Sequence, residues 1–134
     1  MEKQQWKKRI EVFRYIYGFI MDPMTPEQLI QTAFTKYDFK PDQLKVIEYY
    51  ANNYDAIEKI VQSALPGTWT WNRIKPILKA ILFSSYAESV TIHTPKKVII
   101  DQAIINTKKY SDPDDYKFIN AVLDKIIAKE DIKN

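Results

Sequence analysis

Apolar residues fall at helical spacing along almost the whole chain. Trp6, Ile10, Phe13, Tyr17 and Ile20 recur at alternating steps of four and three, with Ile16 beside them, and predict a helix over 5–21. Met21-Asp22-Pro23 ends it. Thr25 and Gln28 have the spacing of a capping box, and Pro26 sits where a missing N–H costs nothing. A second helix therefore starts there, carries Leu29, Ile30, Ala33 and Phe34, and stops near Tyr37. Lys40-Pro41-Asp42 opens a third, in phase from Leu44 through Ile47, Tyr50, Tyr54, Ile57 and Val61 to about Ala64. Pro66-Gly67 is the strongest break in the chain and the expected junction of two helical sub-bundles, about 1–66 and 67–134, within one domain.

Beyond the break, Trp69, Trp71, Ile74, Ile77, Leu78, Ile81, Leu82 and Ser85 keep helical phase to residue 89, but Pro76 interrupts it. A proline inside a helix costs about 3 kcal/mol. The pattern thus predicts a short turn from Trp71 to Lys75 and a helix from Pro76. Val90–Thr94 reads as a connector. Thr94 as cap and Pro95 as first helical residue open the next helix. Its apolar positions Val98, Ile99, Ile100, Ala103, Ile104 and Ile105 wrap most of the cylinder and predict a helix inside a bundle. A turn at Ser111-Asp112-Pro113-Asp114-Asp115, with a Ser or Asp cap and Pro113 at the first position, starts the last helix. That helix carries the stripe Phe118, Ile119, Val122, Leu123, Ile126 and Ile127. The sum is an all-α chain of six or seven helices with no strand segment.

Composition narrows the chemistry. At 134 residues the chain is long enough for a core, and 46% hydrophobic residues argue against disorder. Two glycines leave no glycine-rich phosphate loop, and the absence of cysteine removes disulfides and thiolate metal sites. No long uncharged apolar run supports a membrane span or a secretion signal, and a cytoplasmic location is expected. His93 is the single histidine, placed in a connector without metal-spaced neighbours, and reads as a surface or capping residue. Asp112, Asp114 and Asp115 cluster at a helix start, where acidic groups complement exposed N–H groups. No nucleophile, metal set or cofactor cradle emerges, so neither enzyme activity nor a cofactor is expected.

Charge is informative only where it is local. Lys3, Lys7, Lys8, Arg9 and Arg14 face only Glu2 and Glu11 in the first fourteen residues, an excess equal to the whole chain's +3. At about 100° per residue, Lys3, Lys7 and Arg14 share a flank beside the apolar stripe. Such a flank is either a solvated helix face or a surface that tracks phosphates. Nine tyrosines add amphipathic rings, and exposed ones beside cations would stack unpaired bases. Phe118, next to Lys117 on the first turn of the last helix, is the best single candidate for an exposed stacker. Closing the end of the core is its other role.

Four stretches, in order, resemble the NusB family of bacterial transcription antitermination factors. FINAVLDKI is similar to the family's FVNGVLDKI, and PKKVIIDQAIINTKKYS to its P-x-K-V-x-I-N-E-A-[VI]-E-L-A-K-x-F segment, with Asp101 for Asn, Gln102 for Glu and Ala121 for Gly. KKRIEVFRYIYGFI resembles the opening helix, with Arg9 at its arginine and Ile16-Tyr17 at its Leu-Tyr. TWTWNRIKPILKAILF resembles W-[ST]-L-x-R-[IL]-x-x-V-x-R-A-I-L-R through Trp69 or Trp71, Arg73, Lys79, Ala80, Ile81 and Leu82, departing at Phe83. The register of the following segment is open: either Tyr86 or Glu88 meets the family's Tyr-Glu pair.

The resemblance implies a fold of two packed helical sub-bundles, and binding, without catalysis, of single-stranded boxA RNA together with the ribosomal protein NusE in the RNA polymerase antitermination complex. It implies an RNA path over Lys7, Lys8, Arg9 and Tyr17, with Lys3 and Arg14 on the same basic helix, reaching Asp114, Lys117 and Phe118. A NusE-facing surface is implied on the helix from Lys75 to Glu88 and its successor, with Lys79, Tyr86, Glu88 and Lys96. A homodimer is compatible with all of this. The competing expectations are a helical module that binds protein alone, and a fragment of a ribosomal RNA cytosine methyltransferase, in which the same domain occurs.

Overall fold

The computed structural model describes the backbone of residues 2–128 and the side chains of residues 5–128. Among these residues are six α-helices and no strand: α1 (Glu2–Met21), α2 (Pro26–Thr35), α3 (Pro41–Ser63), α4 (Pro76–Thr91), α5 (Lys96–Tyr110) and α6 (Asp115–Ile126), with a single 3-10 turn at Trp71–Arg73 before α4. The start signals act as read. Thr25 Oγ1 accepts from the Gln28 N–H while Gln28 Oε1 accepts from the Thr25 N–H, so two orphan donors of α2 are satisfied reciprocally. Pro41 and Pro76 each stand at the start of their helices. Gly67 turns the chain after α3 with φ +45°, a conformation that favours glycine.

α4 is the centre of the molecule. It packs against α1, α3, α5 and α6. Ala80, Ile81, Leu82, Phe83 and Ser84 are buried in succession, and Val90 is the helix's one exposed residue. α1 adds Phe13 and Ile16, α3 adds Ile47, Tyr50 and Ile57, and α6 adds Phe118, Ile119, Val122 and Leu123 to the same core. Phe83, where the family motif has arginine, is therefore an interior ring that stacks on Tyr50 at 5.5 Å.

Four expectations need correction. α3 is not regular: Asn53 leaves helical geometry (φ −134°, ψ 19°), and its Nδ2 donates to the Tyr49 carbonyl. Asparagine competes for backbone groups in this way. α4 runs on through Thr91, whose hydroxyl donates to the Ala87 carbonyl, so the connector begins at Ile92 and turns at His93 with φ +60°. α5 begins at Lys96 with Pro95 as its cap residue, so Thr94 is no cap, and α6 begins at Asp115, beyond Pro113. α5 is also not enclosed. Ile99, Ala103, Asn106 and Thr107 face inward, leaving Val98 and Ile105 exposed. Two polar residues can occupy the inner face because Asn106 Oδ1 accepts from Trp6 Nε1 at 2.9 Å and Thr107 Oγ1 donates to the Ala103 carbonyl.

Candidate nucleic-acid interface

α1 divides its polar residues between structure and solvent. Arg9 turns inward across the molecule. Its Nε and one terminal nitrogen donate to the Glu88 carboxylate of α4 at 3.0–3.1 Å, with side-chain exposures of only 20% and 12%. The two charges are spent mainly on each other while keeping a small exposed edge, so Arg9 and Glu88 serve first to tie α1 to α4. Lys8 lies 3.8 Å from Asp42. Lys7 and Arg14 are exposed and have no ion-pair partner among the described residues. Lys3 was expected on the same flank; its side chain lies outside the described residues. Tyr17 is half-buried.

The other end of the expected path, the start of α6, is linked to α1 through the last turn of α5. Phe13 meets Tyr110, the last residue of α5, edge to face at 5.4 Å. Lys109 sits 4.6 Å over the Trp6 ring, and Lys108 sits 4.5 Å over Tyr116. A cation on a ring face is held in place yet keeps its charge toward water. Lys108 and Lys109 thus bridge the gap from α1 to exposed Asp114 and Lys117. Sequence reasoning passed over this pair. The alternation of lysine with aromatic residues in Lys108-Lys109-Tyr110 and Tyr116-Lys117 was the available signal.

Phe118 is not an exposed stacker. It is 4% exposed and closes the core end, while Trp69, 40% exposed, covers it at a centroid distance of 4.3 Å. The ring available to solvent here is the tryptophan. Beside it, Lys75 Nζ reaches Asp112 and Asp115 at 2.6 and 2.7 Å. Burial works to raise the Asp115 carboxyl, but hydrogen bonds from Lys75 and Ser111 outweigh it and hold the group below the usual carboxylate range. The acidic cluster therefore pins the α5–α6 turn to the start of α4.

Of the residues expected to face a protein partner, Tyr86 and Lys96 line one groove, with Val90, His93 and Ile126, and Lys79 and Glu88 stand apart from it. Lys79 lies half-buried 4.2 Å over Trp71, and burial pushes its ammonium below the usual lysine range. Burial, then Tyr49, pushes the Tyr86 hydroxyl up. Lys96 reaches back to Asp124, donating to its carbonyl at 2.8 Å. Among the described residues no three histidine, aspartate or glutamate side chains gather as a metal site requires, and no helix is long and apolar enough to cross a membrane.

A six-helix bundle wound around one enclosed apolar helix defines a small all-α class with solved members. A Mycoplasma genitalium protein described as showing structural homology to NusB proteins superposes with a TM-score of 0.75 at 19% identity, over 91% of this chain and 98% of that one. Thermotoga maritima NusB superposes at 0.72 and 22% identity, over 91% and 89%. The NusB family model matches residues 9–128, and the chain belongs to the NusB family. Relatives include the transcription antitermination protein NusB of a Cyanothece strain, 37% identical over 67% of this chain and 41% of that protein, and that of Treponema denticola, 40% identical over 58% and 57%. The matched region is about half the length of these curated relatives.

Proposed function

We propose that this chain is a cytoplasmic transcription antitermination factor that binds single-stranded boxA-type RNA together with NusE within the RNA polymerase antitermination complex. The observation that carries it is the strip of ring-seated cations, Lys109 on Trp6 and Lys108 on Tyr116, continuing to Lys117 on one side and to the open ridge of α1 with Lys7 and Arg14 on the other. Lysines spaced along a surface neutralise a backbone, and half-exposed rings among them accept splayed bases. The names of the relatives, transcription antitermination proteins, supply the process.

NusE is proposed to lie against α5 and the ends of α4. Val98 and Ile105, one face of α5 seven residues apart, supply exposed apolar contact there, and Tyr86 and Lys96 line one groove between the end of α4 and the start of α5. The same two residues favour the second reading, a module that binds protein alone.

Titration of a boxA-like RNA and a scrambled RNA, with and without NusE and at two salt concentrations, tests both. Tighter binding of the boxA-like RNA, enhanced by NusE and weakened by salt, is expected. Lys108→Glu with Lys109→Glu should weaken it about tenfold or more at low salt. Equal and negligible affinity for both RNAs, with NusE still bound, leaves the protein-only module.

A further inference from the structure

On the far flank of α1 from that strip lies a groove of about 1210 Å³, walled by α1 and by the turn joining α2 to α3. Its floor is aromatic. Tyr37 and Phe39 stack in parallel, 2° between planes and 5.0 Å between centroids, and Tyr15 meets both edge to face. The Tyr15 hydroxyl donates to the Leu29 carbonyl at 2.7 Å, so the supporting ring is anchored to α2. Tyr37 is 52% exposed, with one face covered by Phe39.

The rim carries a small cationic excess, Lys7, Lys8, Arg14 and Lys40 against Glu11, Asp38 and Asp42. Gln43 donates to the Glu11 carboxylate and to the Lys8 carbonyl, and Asp42 accepts from the Gln43 N–H and lies near Lys8. Lys8 and Asp42 offset each other, while Glu11, held by the neutral Gln43 amide, keeps its negative charge. Lys7, Arg14 and Lys40 are exposed at the rim with no partner among the described residues. Asp38 remains as an open acceptor on the turn, suited to the amino group of a cytosine edge. Lys7 and Arg14 stand on the ridge of α1 between this groove and the Trp6 side, so one strand could cross from one to the other.

We propose that the groove is a second RNA subsite, in which an unpaired base stacks on the open face of Tyr37 while Lys7, Arg14 and Lys40 take flanking phosphates. It presupposes the RNA-binding role proposed above and lengthens the strand that role requires. The exposed Tyr37 ring argues the occupant together with Lys7, Arg14 and Lys40, which have no ion-pair partner among the described residues: the combination suits a polyanion that carries π-faces.

The test compares a boxA-like RNA with the same RNA extended by six uridines at its 5′ or its 3′ end, using the full chain. One extension should tighten binding at least about fivefold, the lower end of what one stacked base contributes. Tyr37→Ala and Lys40→Glu should each abolish that gain while leaving the short RNA's affinity unchanged, and Tyr37→Phe should retain it. A photo-crosslink from 5-iodouridine in the extension should map to Tyr37 in the unaltered protein, whatever the variants' folding. No gain from either extension, or a gain that survives Tyr37→Ala with crosslinks elsewhere, overturns the subsite alone. No binding of any RNA overturns the RNA role and the subsite with it. Loss of NusE binding in Tyr37→Ala, with no extension gain, assigns the groove to protein and also overturns it.

Discussion

Arg9 on α1 and Glu88 on α4 join the first helix to the central one by a two-pronged, largely buried ion pair, with donor–acceptor distances of 3.0–3.1 Å. Removing one partner leaves a half-desolvated charge behind. Arg9→Ala should therefore cost about 2–3 kcal/mol, somewhat below the range for a fully buried pair because the guanidinium keeps some water contact. Arg9→Met combined with Glu88→Leu should recover much of it. Urea unfolding of both variants measures the difference; an Arg9→Ala chain as stable as the parent contradicts a structural role for the pair.

The interior position of Phe118 gives a contrast with its neighbour. Phe118→Ala opens a cavity under Trp69 and should cost about 3–5 kcal/mol. Trp69→Ala, at a partly exposed site, should cost far less. Thermal unfolding ranks the two, and the reverse order would show that the tryptophan, not the phenylalanine, carries the packing there.

Acid sensitivity should concentrate at the α5–α6 turn. The Asp115 carboxyl is held below its ordinary value by Lys75 and Ser111 against the opposing effect of burial. A depressed folded pKa contributes stability that is present above the unfolded value, about 3.9, and lost as pH falls through the folded one. Asp115→Asn should lower Tm at neutral pH and flatten its decline below pH 4. Parallel Tm curves for the variant and the parent across that window would remove Asp115 from the acid response.

Tyr15 and Tyr50 should ionise late. Burial, then Tyr37, pushes the Tyr15 hydroxyl up to about 12, and burial, then Glu58, pushes Tyr50 higher still. A raised folded pKa contributes stability that is complete below the unfolded value, about 10, and lost as pH rises toward the folded one. Ultraviolet titration of the folded protein should show a phenol fraction that ionises only well above pH 10. Tyr15→Phe should shrink that fraction by one phenol; a fraction of unchanged size would remove Tyr15 from it.

Helix starts were legible because their chemistry is local: Thr25 with Gln28, Pro41 and Pro76 act within one turn of the chain. The errors of one or two residues at Thr94 and Pro113 arose where proline suits several neighbouring cap positions equally. Burial of Phe118 was not legible, since Lys117 beside it looks the same whether the ring turns inward or outward. The pairing of Arg9 with Glu88 spans 79 positions, and no periodicity reports a contact of that range. The loss of Val98 and Ile105 from the core had a similar cause: Asn106 took an inward place through a bond to Trp6, a partner 100 residues away. Tyr37 and Phe39 stood in plain sight in Lys36-Tyr37-Asp38-Phe39-Lys40, but their stacking depends on a turn whose path only the fold supplies.

A rod walled in on every flank meets water only at its tips. α4 comes close to such a rod: residues 80–84 are covered in succession, so an alteration there is felt by the helices packed around it, while Lys79, Ser85 and Tyr86 stay half-covered. Variation that changes what this molecule touches should therefore accumulate on α1, α5 and the turns, while the interior helix stays fixed by the demands of its own surroundings.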